Sequence, residues 1–338
     1  MYGKSTRDAI LEKFKDPAEV LLRSVIYDVT VYNEMNEVEG KIAKGVSHPV
    51  LEQANIHIKN VKGSSPFWSE LFHSVESAND TVRMSTAEKK DLLTKQAVKA
   101  GIPPEILKAI AHNETVFTQF GPNLEPNISF DNGIGIMQIT ENPENTPYDY
   151  ERLKYDIAYN IQVGTDKLKR KLGYAIPVIN DGNTAFLENW YFAIMAYNGL
   201  SKINDPTIYP ATYQQKVYST ISKNSDVDPE ILSKDDFVIT YKENSNLMEF
   251  GGKMQYETTK LTKSTQVYGI GETAVLMDSV TLRNKPTTAG TPIDSLPAGS
   301  ALKILDNPVS DNNPSNHFVW YRVSLEDGQE GYVASVSF

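Results

Sequence analysis

The chain has 338 residues, a formal net charge of −10 and no cysteine, so disulfides, thiol catalysis and cysteine-bound metals are excluded. Hydrophobic residues make up 40% and charged residues 22%, which is ordinary for a globular protein of two or three domains. The negative excess is concentrated after residue 225, where 9 basic residues face 16 acidic ones. Because nucleic-acid binders carry a basic surface, we expect no nucleic-acid partner.

Metal sites and membrane segments are also not expected. The histidines are scattered without metal-ligand spacing, and we therefore expect no metal ion and no cofactor. No apolar stretch is long enough for a transmembrane helix. No apolar signal core follows Met1, so no signal peptide is visible in this chain.

Residues 1–80 are predicted to form an N-terminal helical region of unknown role. Residues 16–19 resemble a capping box, which marks the start of a helix. An amphipathic stripe follows at Leu22, Val25, Ile26, Val29 and Tyr32. We interpret the region as a small helical domain or packing arm, joined by a linker at 77–80 to the next domain.

A second domain, at residues 84–224, is predicted to be helical. Ser85 and Glu88 have the spacing of a capping box at the start of its first helix. Gly164 leaves room for close packing in its third helix. A polar loop separates the second helix from the third, and such loops frequently carry function. The expected helices are 86–100, 103–116, 153–172, 186–198 and 210–222.

The pattern changes to β structure after residue 224. Strands at 237–241 and 255–259 are expected in a β-rich connecting segment at 225–272. Residues 273–338 contain short strands divided by Pro, Gly, Asn and Asp turns, which is typical of a small all-β barrel. The predicted fold class is therefore multidomain α+β, with helical domains first and the barrel last.

One carboxylate lies where a core residue is expected. Glu114 shares a helix face with four apolar residues, at spacings of three and four: Ile106, Leu107, Ile110 and Ala111. Burial disfavours the charged form of a carboxyl group and raises its pKa. An acid that keeps its proton at neutral pH is what cleavage of a glycosidic bond requires.

Three short motifs lie in the helical domain. They are Asn113-Glu114-Thr115, Gly135-Ile136-Met137-Gln138 and Ala196-Tyr197-Asn198. Taken singly, they have ordinary explanations as a surface carboxylate, a glycine turn and a helix stop. Their occurrence in this order within one helical domain is the informative signal.

The motif set resembles that of the lytic transglycosylases of the soluble Slt type, over roughly residues 86–222. This resemblance implies a lysozyme-like fold and cleavage of the β-1,4 bond between N-acetylmuramic acid and N-acetylglucosamine in peptidoglycan glycan strands. It implies Glu114 as the single general acid and base, with the 6-hydroxyl of the muramyl sugar as nucleophile and a 1,6-anhydromuramyl product. Thr115, Ile136 and Asn132 depart conservatively from the family pattern.

The resemblance also implies roles for other residues. Tyr197 is expected to be catalytic, orienting or hydrogen-bonding Glu114 through its phenol. Met137 and Gln138 are expected to shape the floor of the cleft. The expected substrate-binding residues are Ser129, Met137, Gln138 and Asn198.

Residues 273–338 resemble a bacterial SH3 domain. The resemblance is carried by 280–286, 296–300, 320–323 and 328–333. It implies binding to cell-wall peptide or glycan, and a structural barrel without a ligand is the alternative. Trp320 and Tyr321 are strand neighbours that point to opposite faces, so at least one is expected in the core.

Two alternatives to transglycosylation remain open at this stage. A hydrolytic muramidase of goose-type lysozyme character would cut the same bond with water. No second carboxylate lies in the three motifs, although Glu125, Asp131 and Glu141 are in the loop after Glu114. A non-catalytic wall-binding or virion structural protein is the other alternative. The expected location is extracellular, at the cell wall, as a phage lysin, a virion-associated enzyme or a trimmed surface protein.

Overall fold

A computed structural model describes most of the chain after residue 83 and four short backbone segments before it. The described ranges are 20–24, 29–32, 38–42, 47–51, 84–121, 125–140 and 148–338. The chain divides into two compact units. The first unit comprises Met1–Met84, Gln119–Asn127 and Asn142–Ile157, and the second comprises Ser85–Thr118, Ile128–Glu141 and Ala158–Phe338.

Four short strands lie at the start of the first unit. β1 (Val20–Ser24) pairs antiparallel with β4 (Ser47–Leu51), and β2 (Val29–Tyr32) pairs antiparallel with β3 (Val38–Ile42). The helical structure expected for 1–80 is therefore wrong at these segments. The Val-Thr-Val-Tyr run of β2 is β-branched and aromatic, and such residues fit a paired strand better than a helix. The expected capping box at the start of this region and the linker at its end lie outside the described residues.

Six α-helices follow among the described residues. They are α1 (Thr86–Ala100), α2 (Pro104–Thr115), α3 (Tyr150–Tyr155), α4 (Ile157–Lys171), α5 (Tyr191–Asn198) and α6 (Tyr213–Ser225). The helices expected at 86–100, 103–116 and 210–222 are confirmed to within three residues. The single helix expected at 153–172 is interrupted at Asp156, whose backbone is extended. A 3-10 turn replaces the first residues of the helix expected at 186–198.

Local signals account for the ends of α1 and the start of α2. The Glu88 amide donates to Ser85 Oγ at 3.2 Å, and the Ser85 amide donates to Glu88 Oε2 at 2.6 Å, so the capping box is confirmed. Gly101 ends α1 in the left-handed conformation, with φ of 72°. Pro104 then opens α2, where its missing N–H costs nothing.

The connecting segment at 225–272 packs against α5. The ring centroids of Phe237 and Tyr191 lie 5.7 Å apart, and those of Tyr256 and Phe192 lie 5.0 Å apart. Its strands are shorter than expected, with two residues each. They are β6 (Thr240–Tyr241), β7 (Met248–Glu249) and β8 (Gln255–Tyr256), and β8 pairs parallel with β5 (Val178–Ile179). This aromatic contact makes the segment part of the core around α5.

The C-terminal region is a six-stranded antiparallel sheet in the order β11-β10-β14-β13-β12-β9. Its strands are β9 (Thr273–Val275), β10 (Val280–Arg283), β11 (Pro292–Leu296), β12 (Ala301–Ile304), β13 (Trp320–Ser324) and β14 (Glu330–Ala334). Leu282, Leu302, Val323 and Val333 are fully buried inside it. Tyr321 joins this core, so the expectation for the Trp320–Tyr321 pair is confirmed. The α+β fold class is confirmed, and none of the described helices is long and apolar enough to cross a membrane.

Helices α1 and α2 contact the end of the connecting segment and the C-terminal region through buried charged groups. Lys90 of α1 donates to Asp311 at 3.3 Å and to the Asn316 carbonyl at 2.6 Å. Lys108 of α2 donates to the side-chain oxygen of Gln266. We term this surface the charged interface, formed by Lys90, Glu105, Lys108, His112, Ser264, Thr265, Gln266, Asp311 and His317.

Hydrogen bonds offset part of the free-energy cost of burying these charged groups. Glu105 Oε1 accepts from Ser264 Oγ and from the Thr265 amide, each at 3.0 Å. The ring nitrogens of His112 and His317 lie 3.1 Å apart. Buried charges without such partners would destabilise the fold strongly. Specific polar contacts therefore hold the C-terminal region against α1 and α2.

Candidate active site

Glu114 lies in the last turn of α2 and is half-buried. The four apolar residues on its helix face are fully buried, as the stripe predicts. The helix ends immediately afterwards, because Val116 and Phe117 adopt positive φ angles of 52° and 60°. Phe117 is itself buried and anchors this turn. Glu114 is thus held by the core at the point where α2 stops.

The surroundings of Glu114 favour its protonated form. Burial raises the pKa of Glu114, and the nearby charge of Asp131 raises it further. A hydrogen bond from Tyr213 and the charge of Lys167 act in the opposite direction. The Tyr213 phenol donates to Glu114 Oε1 at 2.5 Å. Because burial is the largest of these effects, the carboxyl group is suited to donating a proton.

The tyrosine that binds Glu114 is not the expected one. Tyr197 donates to the carbonyl of Met137 at 2.8 Å. The Tyr197 phenol thus uses its proton on Met137, and its expected orienting of Glu114 stays a prediction. Tyr213, the first residue of α6, donates to Glu114 instead. Burial raises the pKa of Tyr213, so its phenol keeps the proton that it donates.

The Gly135-Ile136-Met137-Gln138 motif forms a tight turn between α2 and α4. Gly135 has a φ of 71°, and Ile134 and Ile139 bridge its two ends. Asn160 of α4 donates to the Ile134 carbonyl at 2.8 Å and accepts from the Met137 amide at 3.0 Å. These bonds satisfy buried backbone groups and hold the turn rigid.

Thr115 ties the same turn to the end of α2. Its hydroxyl donates to the Ile136 carbonyl at 3.1 Å. Threonine supplies the same hydroxyl as the serine of the family pattern, so this departure preserves the contact.

Met137 packs in the core beneath the motif turn. Its side chain is fully buried. A Cβ atom at Gly164 would lie 2.7 Å from Met137 Cβ, so the side chain packs directly on the glycine of α4. The close packing expected at Gly164 is confirmed. The expected substrate contact of Met137 stays a prediction.

The other expected substrate-binding residues are accessible to different degrees. Ser129 is half-buried, and its hydroxyl donates to Asp131 at 2.5 Å and accepts from the Gly133 amide at 2.9 Å. Gln138 is half-buried and donates to the Gly135 carbonyl at 2.9 Å. Asn198 is exposed at the end of α5. Their contacts with a sugar stay predictions.

Lys167 of α4 is a charged neighbour of Glu114 that motif reasoning missed. Its ammonium lies 4.3 Å from the centroid of the Tyr197 ring. Burial lowers the pKa of Lys167 to about 8, while the charge of Glu114 opposes that shift. A lysine inside a helix has no local signal of function, so only packing brings it to the site.

One of the loop carboxylates acts on Glu114. Asp131 is exposed, and hydrogen bonding to Ser129 lowers its pKa, so it is ionised at neutral pH. Its charge contributes to the raised pKa of Glu114. Glu141, another carboxylate considered from the sequence, lies outside the described residues. The second unit therefore brings together an acid whose pKa is raised and an ionised carboxylate that acts on it.

Residues 91–218 match the family model of the transglycosylase SLT domain, and residues 278–337 match that of the bacterial SH3 domain. The chain carries an SLT domain followed by a bacterial SH3 domain. The SLT match includes all three motifs together with Lys167 and Tyr213. No curated protein and no solved structure matches the chain significantly.

The two domains indicate the general activity. The SLT domain indicates peptidoglycan cleavage of the lytic-transglycosylase type, and the SH3 domain indicates cell-wall binding. Domains that act on the wall indicate an extracellular, cell-wall location. The predicted architecture, an SLT domain with a C-terminal bacterial SH3 domain, is thereby confirmed.

Proposed function

We propose that the SLT domain cleaves the β-1,4 bond between N-acetylmuramic acid and N-acetylglucosamine and leaves 1,6-anhydromuramyl ends. Glu114 is the general acid and then the general base of this reaction. The observation that supports the proposal is the half-buried Glu114 carboxyl, whose pKa is raised by burial and which accepts a hydrogen bond from Tyr213. A neutral carboxylic acid is the species that the first step needs.

In the first step, Glu114 donates its proton to the glycosidic oxygen. The bond between that oxygen and C1 of the muramyl sugar breaks, and the N-acetylglucosaminyl part leaves with a hydroxyl group. Positive charge develops at C1, where the muramyl N-acetyl group supports it. Glu114 is now a carboxylate, and the hydrogen bond from Tyr213 stabilises that form.

In the second step, the 6-hydroxyl of the same muramyl sugar attacks C1. Its proton passes to the Glu114 carboxylate, which restores the starting acid, and no water is consumed. Intramolecular attack benefits from a high effective molarity, so a positioned water and a second carboxylate are not required.

The remaining polar residues are assigned to substrate binding. Ser129 and Gln138 lie between α2 and α4, and Asn198 ends α5. We assign them to sugar amides and hydroxyls. Tyr197 acts as a positioning residue, because it fixes the Met137 carbonyl rather than Glu114. The SH3 domain binds cell-wall peptide or glycan, and release at phage lysis or attachment to a virion are the settings that we predict.

Hydrolysis of the same bond is the second candidate, and Asp131 favours it. A hydrolytic muramidase pairs its acid with a carboxylate that activates water or stabilises the positive sugar. Asp131 is ionised and acts electrostatically on Glu114. Asp131 is therefore the residue whose removal separates the two candidates.

Product masses test the proposal. Purified peptidoglycan is digested with the wild type, Glu114→Gln and Asp131→Asn, and the muropeptides are weighed by mass spectrometry. We expect the wild type and Asp131→Asn to give products one water lighter than hydrolysis products. Glu114→Gln should lose activity by about a thousandfold, the scale of a lost general acid, while still binding the wall.

Other outcomes contradict the proposal in distinct ways. Reducing ends alone in the wild type, lost in Asp131→Asn, identify a hydrolytic muramidase. No cleavage by the wild type, with binding to sacculi intact, identifies a non-catalytic wall-binding protein.

A further inference from the structure

The third motif and the tyrosine that binds Glu114 share one hydrogen-bonding partner. Asn204 ends a short 3-10 turn between α5 and α6 and is 2% exposed. Its side-chain nitrogen donates to Asn198 Oδ1 at 2.9 Å, and its side-chain oxygen accepts from the Tyr213 amide at 3.3 Å. The Tyr213 phenol in turn donates to Glu114 Oε1 at 2.5 Å. Asn204 therefore connects the exposed Asn198 to the residue that contacts the candidate acid.

The neighbours of Asn204 decide which end of its amide faces Asn198. A carbonyl oxygen accepts hydrogen bonds and a backbone N–H donates them, so each partner accepts only one end of the amide. The Gly199 carbonyl lies 2.8 Å from the Asn204 nitrogen, whereas the Tyr213 N–H faces the Asn204 oxygen. The Asn204 nitrogen thus donates to both Gly199 and Asn198. Asn198 must therefore turn its side-chain oxygen toward Asn204.

We infer that Asn204 is a positioning residue for substrate binding, which turns the Asn198 nitrogen toward the glycan as a hydrogen-bond donor. The group that meets this nitrogen is an acceptor oxygen of the sugar, such as the carbonyl of an acetamide. The inference rests on the proposed function, which assigns Asn198 to the sugar. It adds a buried residue outside the three motifs and gives the contact a direction.

The connecting segment fixes the turn that carries Asn204. The Lys202 amide donates to the Asn246 carbonyl at 3.0 Å. Asp205 is buried and accepts a hydrogen bond from the Tyr241 phenol. Because the turn is held on both sides of Asn204, the amide is ordered before a substrate arrives. Binding then does not have to meet the entropy cost of ordering it.

Asn180 provides a matched case in which an asparagine amide serves structure alone. Its nitrogen donates to Asn189 Oδ1 at 3.1 Å and to Thr258 Oγ1 at 2.9 Å, and its oxygen accepts from the Thr258 amide at 2.9 Å. These partners lie in the 3-10 turn before α5 and in the connecting segment, outside the three motifs. Asn180→Asp and Asn204→Asp therefore remove the same two donors and keep the same acceptor.

The test measures KM and kcat at pH 7.5 on soluble glycan strands released from peptidoglycan. Asn204→Asp replaces the donor with a carboxylate, so Asn198 turns its nitrogen inward and presents its oxygen to the sugar. We expect KM to rise about tenfold while kcat stays near that of the wild type. Asn204→Ala, which removes the donors without adding a charge, should raise KM about threefold, and Asn180→Asp should follow the wild type.

A double-mutant cycle separates positioning from a general loss of structure. With Asn198→Ala in place, Asn204→Asp should raise KM no further, because the side chain through which it acts is absent. A full additional rise in that background overturns the inference, and so do equal effects of Asn204→Asp and Asn180→Asp. Thermal unfolding checks that each variant is folded, and Asn204→Ala carries the test if Asn204→Asp does not fold.

Failure of the proposed function gives a different result. An unchanged KM in Asn198→Ala removes the sugar contact that the proposed function assigns, and reducing ends in the products replace transglycosylation by hydrolysis. Anhydro products from the wild type, a raised KM in Asn198→Ala and an unchanged KM in both Asn204 variants would overturn this inference alone.

Discussion

Helix α2 carries two carboxylates whose pKa is raised by burial, Glu105 near its start and Glu114 at its end. Each also has a lysine nearby, Lys108 for the first and Lys167 for the second, and burial lowers the pKa of both lysines. Glu105 is fully buried and bound by Ser264 and Thr265 in the charged interface. Glu114 is half-buried and receives a phenol proton.

The comparison shows that a raised pKa alone does not mark a catalytic acid. Desolvation perturbs both carboxyl groups in the same direction. What differs is access: no substrate can reach Glu105, whereas Glu114 keeps part of its surface open beside the motif turn. A raised pKa shows that a carboxyl group is buried. A catalytic acid must in addition be accessible to its substrate.

The largest effect expected from this comparison concerns stability. Glu105→Ala leaves Lys108 buried without its carboxylate and removes the acceptor of two hydrogen bonds. We expect a loss of about 2 to 5 kcal/mol in the free energy of unfolding, because two buried donors are left without an acceptor; chemical denaturation measures it. Activity at low temperature should stay near that of the wild type.

Glu114→Ala is the matched control on the same helix. It should abolish activity and change stability far less, because Glu114 is half-exposed. Equal losses of stability in the two variants would remove the distinction between a structural and a functional carboxylate.

The charged interface should also make the fold sensitive to acid. Burial lowers the pKa of His317 from 6.5 to about 2, and Lys108, His112 and Lys90 add to this effect. The unfolded chain therefore binds a proton that the folded chain does not, below pH 6.5. Above pH 6.5 this group leaves the free energy of unfolding unchanged. Below pH 6.5 the free energy of unfolding falls by about 1.4 kcal/mol for each pH unit, because the unfolded chain takes up the proton.

Thermal unfolding of the wild type and His317→Asn between pH 7.5 and 4.5 measures this contribution. The wild type should lose stability more steeply than the variant over that window. Parallel curves would show that folding does not lower the pKa of His317. Glu105, whose pKa is raised, acts in the opposite direction in both proteins, so the difference between them isolates the histidine.

The smallest expected effect separates the two tyrosines of the site. Tyr213→Phe removes the hydrogen bond that lowers the pKa of Glu114. The alkaline limb of the pH–rate profile should move to higher pH, and kcat should fall roughly tenfold. Tyr197→Phe should leave that limb in place, because its phenol binds Met137. A shift in the second variant and none in the first would restore the role first expected of Tyr197.

The SLT framework could be predicted in large part because its signals are local. The Ser85 and Glu88 capping box, Gly101 and Pro104 act on backbone groups within a few residues of themselves. The N-terminal region could not be predicted in this way. Its apolar residues fit a helical stripe, but the described segments pair as strands, and the β2 strand among them is rich in β-branched residues.

The sequence by itself determined the order of the domains, the ends of most helices and Glu114 as the candidate acid. Only the tertiary structure decided which groups surround that acid. Tyr213 lies 99 positions from Glu114 along the chain, and Lys167 reaches the site through the packing of α4 on the motif turn. Met137 is buried for the same reason. Such partners depend on how helices pack, and neither periodicity nor capping encodes that arrangement locally.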